Sequence, residues 1–128
     1  TALFVARTIH NDLTLVNASS WSWWTALTRA DYKDGLVYLD DGTNNGSQVT
    51  DYCKKDGFAR DSKLMWMLGN YSFFVRPGMK RVAVITENPD PEKEGKDVMI
   101  SAYKDGSSKK IVLVAVNVGS TENIIFKI

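Results

Sequence analysis

The residues best suited to chemistry in this chain are indoles: Trp21, Trp23 and Trp24 fall within the run Trp21-Ser22-Trp23-Trp24-Thr25-Ala26-Leu27. Indoles stack on the apolar faces of sugar rings as readily as they fill a core. Alternation along an extended chain puts Trp21 and Trp23 on one side and Trp24 on the other, so both roles can be filled at once. The ionisable groups offer less. Hydrolytic acid/base work needs two carboxylates held a fixed distance apart in a cleft. Glu87, Glu92, Glu94 and Glu122 all lie in strand ends or charged loops and read as solvated surface, while Asp40 and Asp41 lie beside a glycine and suit a turn. No nucleophile-elbow pattern and no glycine-rich phosphate loop is present. Cys53 is the only cysteine and His10 the only histidine, which excludes a disulfide within the chain and any zinc site built from these residues alone. No cofactor is expected, and the chain holds no complete active site.

These residues are set in a mixed pattern of elements. Ala2, Val5, Ala6, Ile9, Leu13 and Val16 recur at helical spacing, with Arg7, His10, Asn11 and Asp12 collected elsewhere, which predicts an amphipathic helix over 2–16. Its pattern is already running at the first residue, as a cut through an element would leave it, so a truncated start is expected. The Trp-rich run is apolar on both faces and reads as one strand of a sheet covered on each side. The span 28–62 is rich in turn signals, among them Asp34-Gly35, Asp41-Gly42, Asn45-Gly46 and Asp56-Gly57, around a short strand candidate at 36–39. A second helix is predicted over 63–75, capped by Ser62 and stopped by Arg76-Pro77-Gly78.

After Gly78 the apolar period changes from 3.6 to 2, and strands are predicted at 79–86, 97–103, 110–117 and 123–128. They read as an antiparallel meander joined by turns at Lys104-Asp105-Gly106-Ser107 and Val118-Gly119-Ser120-Thr121. Ile111, Leu113 and Ala115 alternate with Val112, Val114 and Val116, so both faces want covering and a sandwich is expected. Four strands are few for one, and the expected fold is α+β with an incomplete sandwich. The composition shift near Gly78 divides the chain into 1–78 and 79–128.

At 128 residues the chain is one compact domain or a piece of a larger one. Sixteen Lys and Arg against fifteen Asp and Glu, a net charge of +1, give no electrostatic footprint for nucleic acid. No apolar run approaches the roughly 20 residues needed to span a bilayer.

The stretch Leu68-Gly69-Asn70-Tyr71-Ser72-Phe73-Phe74-Val75-Arg76-Pro77-Gly78 resembles the last-helix segment of glycoside hydrolase family 30, which groups glucosylceramidases, glucuronoxylanases and endo-1,6-β-galactanases. The Trp-rich run looks like the eighth strand of that family's (β/α)8 TIM barrel. The strands ending Lys110-Ile111-Val112-Leu113-Val114-Ala115-Val116-Asn117 look like its C-terminal β-sandwich. Ser20-Trp21-Ser22-Trp23-Trp24-Thr25-Ala26 is nearest in form to the endo-1,6-galactanase-like branch.

The resemblance implies the last αβα elements of the barrel over 1–78, followed by the sandwich over 79–128. It implies a secreted retaining glycoside hydrolase acting on β-linked glycans, whose two catalytic glutamates would lie before Thr1. The rest of the barrel would be this piece's protein partner. Active sites of such barrels lie at the C-terminal ends of the strands, so Trp24, Trp23 and Arg29 would be the substrate-binding residues and no catalytic residue would be present. The competing expectation is a non-catalytic β-sandwich module that binds carbohydrate or docks on a partner.

Overall fold

A computed structural model describes residues 1–30, 32–40, 57–85, 97–119, 125 and 127. Its first element is helix α1, Ala2–Thr14. Val5 and Ile9, and Ala6 and His10, are pairs four apart that form its buried stripe. The helix stops where Asn17 turns left-handed at φ 59°, with the amides of Leu15 and Val16 both donating to the Asn11 carbonyl. Two expectations are corrected here. His10 is 5% exposed and sits on the inward stripe rather than with the polar residues, and Val16 lies beyond the helix end and is exposed.

The Trp-rich run enters no ladder before Leu27 among the described residues. Pairing starts at β1, Leu27–Thr28, which runs parallel to β2, Val37–Asp40, in register Leu27 to Val37 and Thr28 to Tyr38. Strand β3, Phe58–Asp61, pairs antiparallel with β2 and completes a three-stranded sheet in the order β1-β2-β3. β3 lies in the span read from sequence as loop. Its four residues are all exposed and show no apolar alternation, so its strand character comes from pairing with β2.

Helix α2, Lys63–Ser72, starts as expected, with the Ser62 hydroxyl accepting from the Met65 amide at 3.1 Å. It ends three residues earlier than its apolar pattern. Val75 still donates to the Tyr71 carbonyl, and Gly78 takes a φ of 91° that only glycine adopts at low cost. Leu64, Met67 and Tyr71 form its buried stripe, whereas Phe74 is left half-exposed.

The remaining strands, β4 (Lys80–Val82), β5 (Val98–Lys104) and β6 (Ile111–Asn117), form an antiparallel meander in the order β4-β5-β6. β5 and β6 close through a turn in which the Asp105 carboxylate accepts from the Ser107 amide and from the hydroxyls of Ser107 and Ser108. The Ser107 amide, with the hydroxyls of Ser108 and Ser107, holds that carboxyl below its ordinary range. The predicted strand at 123–128, the loop at 88–96, Cys53, Asp41 and the four glutamates lie outside the described residues, apart from Ile125 and Lys127.

One core joins these elements: Val5, Ala6 and Ile9 of α1, Leu64, Met67 and Tyr71 of α2, and Tyr103, Val112 and Val114 of the second sheet. Among the described residues the architecture is mixed α+β, two helices with two small sheets, and no barrel closes. One face of β6 buries Val112 and Val114, while Ile111 and Ala115 on its other face stay exposed.

Candidate functional site

Local sequence sets the three neighbouring indoles apart. Trp21 and Trp23 point the same way and stack, with ring centroids 5.8 Å apart and planes inclined by 12°. Both are half-buried against the core. The Trp21 indole donates to Asp12 Oδ2 at 3.0 Å, and the Trp23 indole to the Asp34 carbonyl at 2.6 Å. Trp24 faces the opposite way and is 81% exposed, although its backbone is held on either side. Asp34 supplies that hold, because the same carbonyl that binds the Trp23 indole also accepts from the Thr25 amide at 3.4 Å. The Trp24–Thr25 peptide is cis. Parallel bonds from Leu36 to the Thr25 carbonyl and from Val37 to the Ala26 carbonyl continue the anchorage into β1 and β2.

The loop between β1 and β2 therefore leaves the Trp-rich run and returns to it at Asp34. Ala30 bonds back to the Thr28 hydroxyl at 3.0 Å, Lys33 takes a left-handed φ of 63°, and the Gly35 amide donates to the Tyr38 hydroxyl at 3.1 Å. Gly35 is buried, and a Cβ there would meet the Thr28 methyl and the Tyr38 ring, so only glycine lets the loop turn in so tightly. Arg29 and Tyr32 stand exposed on this loop. Tyr32, 73% exposed, was not singled out from sequence. Its signal was a lone aromatic among Lys33, Asp34 and Arg29 in a segment of turn formers.

The expected binding residues thus divide. Trp24, Arg29 and Tyr32 are each exposed, whereas Trp23 is turned inward and fixed by its stack and its hydrogen bond. An exposed indole on an anchored backbone can stack on a flat apolar ligand face without losing much backbone freedom. Asp34 Oδ1 is buried with no hydrogen-bond partner among the described residues. Among those residues no three His, Cys, Asp or Glu side chains gather as a metal site, and no helix is long and apolar enough to cross a membrane.

Residues 1–38, which carry α1, the indoles and this loop, match O-Glycosyl hydrolase family 30. This N-terminal stretch is related to glycoside hydrolase family 30. Most of the chain is similar to a crystal structure of a conserved exported protein from Bacteroides fragilis. The two are 42% identical with a TM-score of 0.75 over 91% of this chain, which spans 23% of the other protein's length. The family match ends within β2 and takes in Trp24, Arg29 and Tyr32.

Proposed function

We propose that this chain is the C-terminal portion of a retaining glycoside hydrolase acting on β-linked glycans, endo-1,6-β-galactanase-like or related. The observation that carries the reading is the coincidence of the family-30 match with the exposed, anchored indole of Trp24. In this reading residues 1–78 are the closing elements of a (β/α)8 barrel and 79–128 belong to its β-sandwich. The Trp-rich run is then the last barrel strand, which among the described residues joins a ladder only from Leu27 and would pair along the rest of its length with strands from upstream chain. Trp24 is a sugar-stacking wall, with Arg29 as a polar contact at the same subsite. Trp23 acts beneath it, holding the wall in place rather than touching sugar. Upstream strands supply both catalytic carboxylates. The exported character of the Bacteroides fragilis relative supports placing the protein outside the cytoplasm.

The test is Trp24→Ala in the polypeptide that includes the upstream strands. Loss of one stacked ring should raise KM about 10-fold, equivalent to roughly 1.4 kcal/mol, with Tm unchanged. A fall in Tm with KM intact would show that Trp24 is core in the assembled enzyme. Glycan binding by this chain without upstream sequence would favour the non-catalytic module instead.

A further inference from the structure

Thr28 and Tyr38 are register partners on β1 and β2, and each turns its hydroxyl into the loop that joins the two strands. The Thr28 hydroxyl accepts from the Ala30 amide at 3.0 Å, and the Tyr38 hydroxyl from the Gly35 amide at 3.1 Å. Gly35 is the middle of three residues that grip both neighbours of Trp24. Before it, the Asp34 carbonyl accepts from the Trp23 indole at 2.6 Å and from the Thr25 amide at 3.4 Å. After it, the Leu36 amide donates to the Thr25 carbonyl at 3.0 Å. The fit around Gly35 is close, since a Cβ there would stand 3.1 Å from the Tyr38 ring. Trp24, 81% exposed, takes its direction from the backbone on either side of it rather than from burial of its ring.

We propose that Tyr38 is a positioning residue for Trp24: its hydroxyl fixes the Asp34-Gly35-Leu36 segment, and through that segment the backbone on both sides of the exposed indole. That this indole then meets sugar rests on the sugar-wall reading. Stacking yields only what remains after the ring and its backbone lose their freedom, so a backbone already held by protein bonds leaves more for the ligand. Tyr38 itself is half-buried in the ladder between β1 and β3 and acts at one remove from the wall. Without its hydroxyl the buried Gly35 amide loses its acceptor, and the segment must shift to satisfy that donor elsewhere.

Tyr38→Phe, which keeps the ring and deletes the bond, tests this in the polypeptide that includes the upstream strands. Hydrogen–deuterium exchange read residue by residue should show the Thr25 amide, which Tyr38 does not touch, exchanging about 5-fold faster, as loss of one net hydrogen bond implies. Unchanged exchange at Thr25 overturns the proposal. With β-1,6-galactan as the probe substrate, KM should rise about 3-fold while kcat holds, less than for Trp24→Ala. In a Trp24→Ala background Tyr38→Phe should leave KM where it is, because the ring it positions is gone. An equal rise in both backgrounds means that Tyr38 acts on stability or on another contact, and overturns the proposal. Should Trp24→Ala itself leave KM unchanged, the sugar-wall reading falls, and exchange at Thr25 still decides whether Tyr38 holds the segment.

Discussion

The sheet β4-β5-β6 buries Met99, Ser101, Ala102, Tyr103, Val112 and Val114, whereas β1-β2-β3, also three-stranded, buries none of its strand residues with described side chains. Burial against the helices holds the first in place. The second is held by its ladder, by the Asp34 anchorage and by one backbone bond from Ser62 to the Leu36 carbonyl. Segments with few buried apolar contacts open first, and recognition surfaces are commonly drawn from them. The contrast separates a packing half of the molecule from a presenting half, and the Trp-rich run lies where they meet.

Substitutions in each half should break or sharpen this division. The largest effect is expected at Met99, 1% exposed, where Met99→Ala should cost about 2–5 kcal/mol in urea unfolding. Next comes the indole pair: Trp23→Ala, which removes a stacked and hydrogen-bonded ring, should cost about 2–3 kcal/mol, and Trp24→Ala no more than about 0.5 kcal/mol. Equal costs would erase the difference between the two sides of the run.

Alkaline titration probes the packing half. The Tyr71 phenol is raised from 10.0 to about 12, so the folded state favours its protonated form. That contribution is complete below pH 10 and is lost as pH rises from about 10 to 12. Unfolding monitored across this window should show Tyr71→Phe to be the less pH-sensitive protein. The smallest effect belongs to the presenting half: Phe58→Ala, at a residue 75% exposed on β3, should change stability by less than about 0.5 kcal/mol. A loss above about 2 kcal/mol there would mean that β1-β2-β3 is packed against something.

Legibility in the sequence followed the same division. Both helices, the Ser62 cap and strands β5 and β6 were readable because burial writes a period into the residues it selects. The outward turn of Trp24 was readable for the same reason, since an extended chain alternates. β3 was not, because Phe58-Ala59-Arg60-Asp61 buries nothing and so carries no period. His10 was misplaced by its polarity, which said nothing about the inward stripe it occupies. The inward fixing of Trp23 and the exposure of Tyr32 depend on the loop's return to Asp34, a contact between residues eleven apart that no local pattern encodes. Of the segments that carry the family resemblance, the match over residues 1–38 reaches the Trp-rich run and stops short of the 68–78 stretch and the 110–117 strand.

The opposed orientations of the indoles also give the protein a built-in optical reporter. Of its four tryptophans, Trp24 and Trp66 are open to a soluble fluorescence quencher, while Trp21 and Trp23 shield one another. In a Trp66→Phe background nearly all quenchable emission would come from the ring proposed to meet sugar, so occupancy of that subsite could be followed as protection from acrylamide with no label attached.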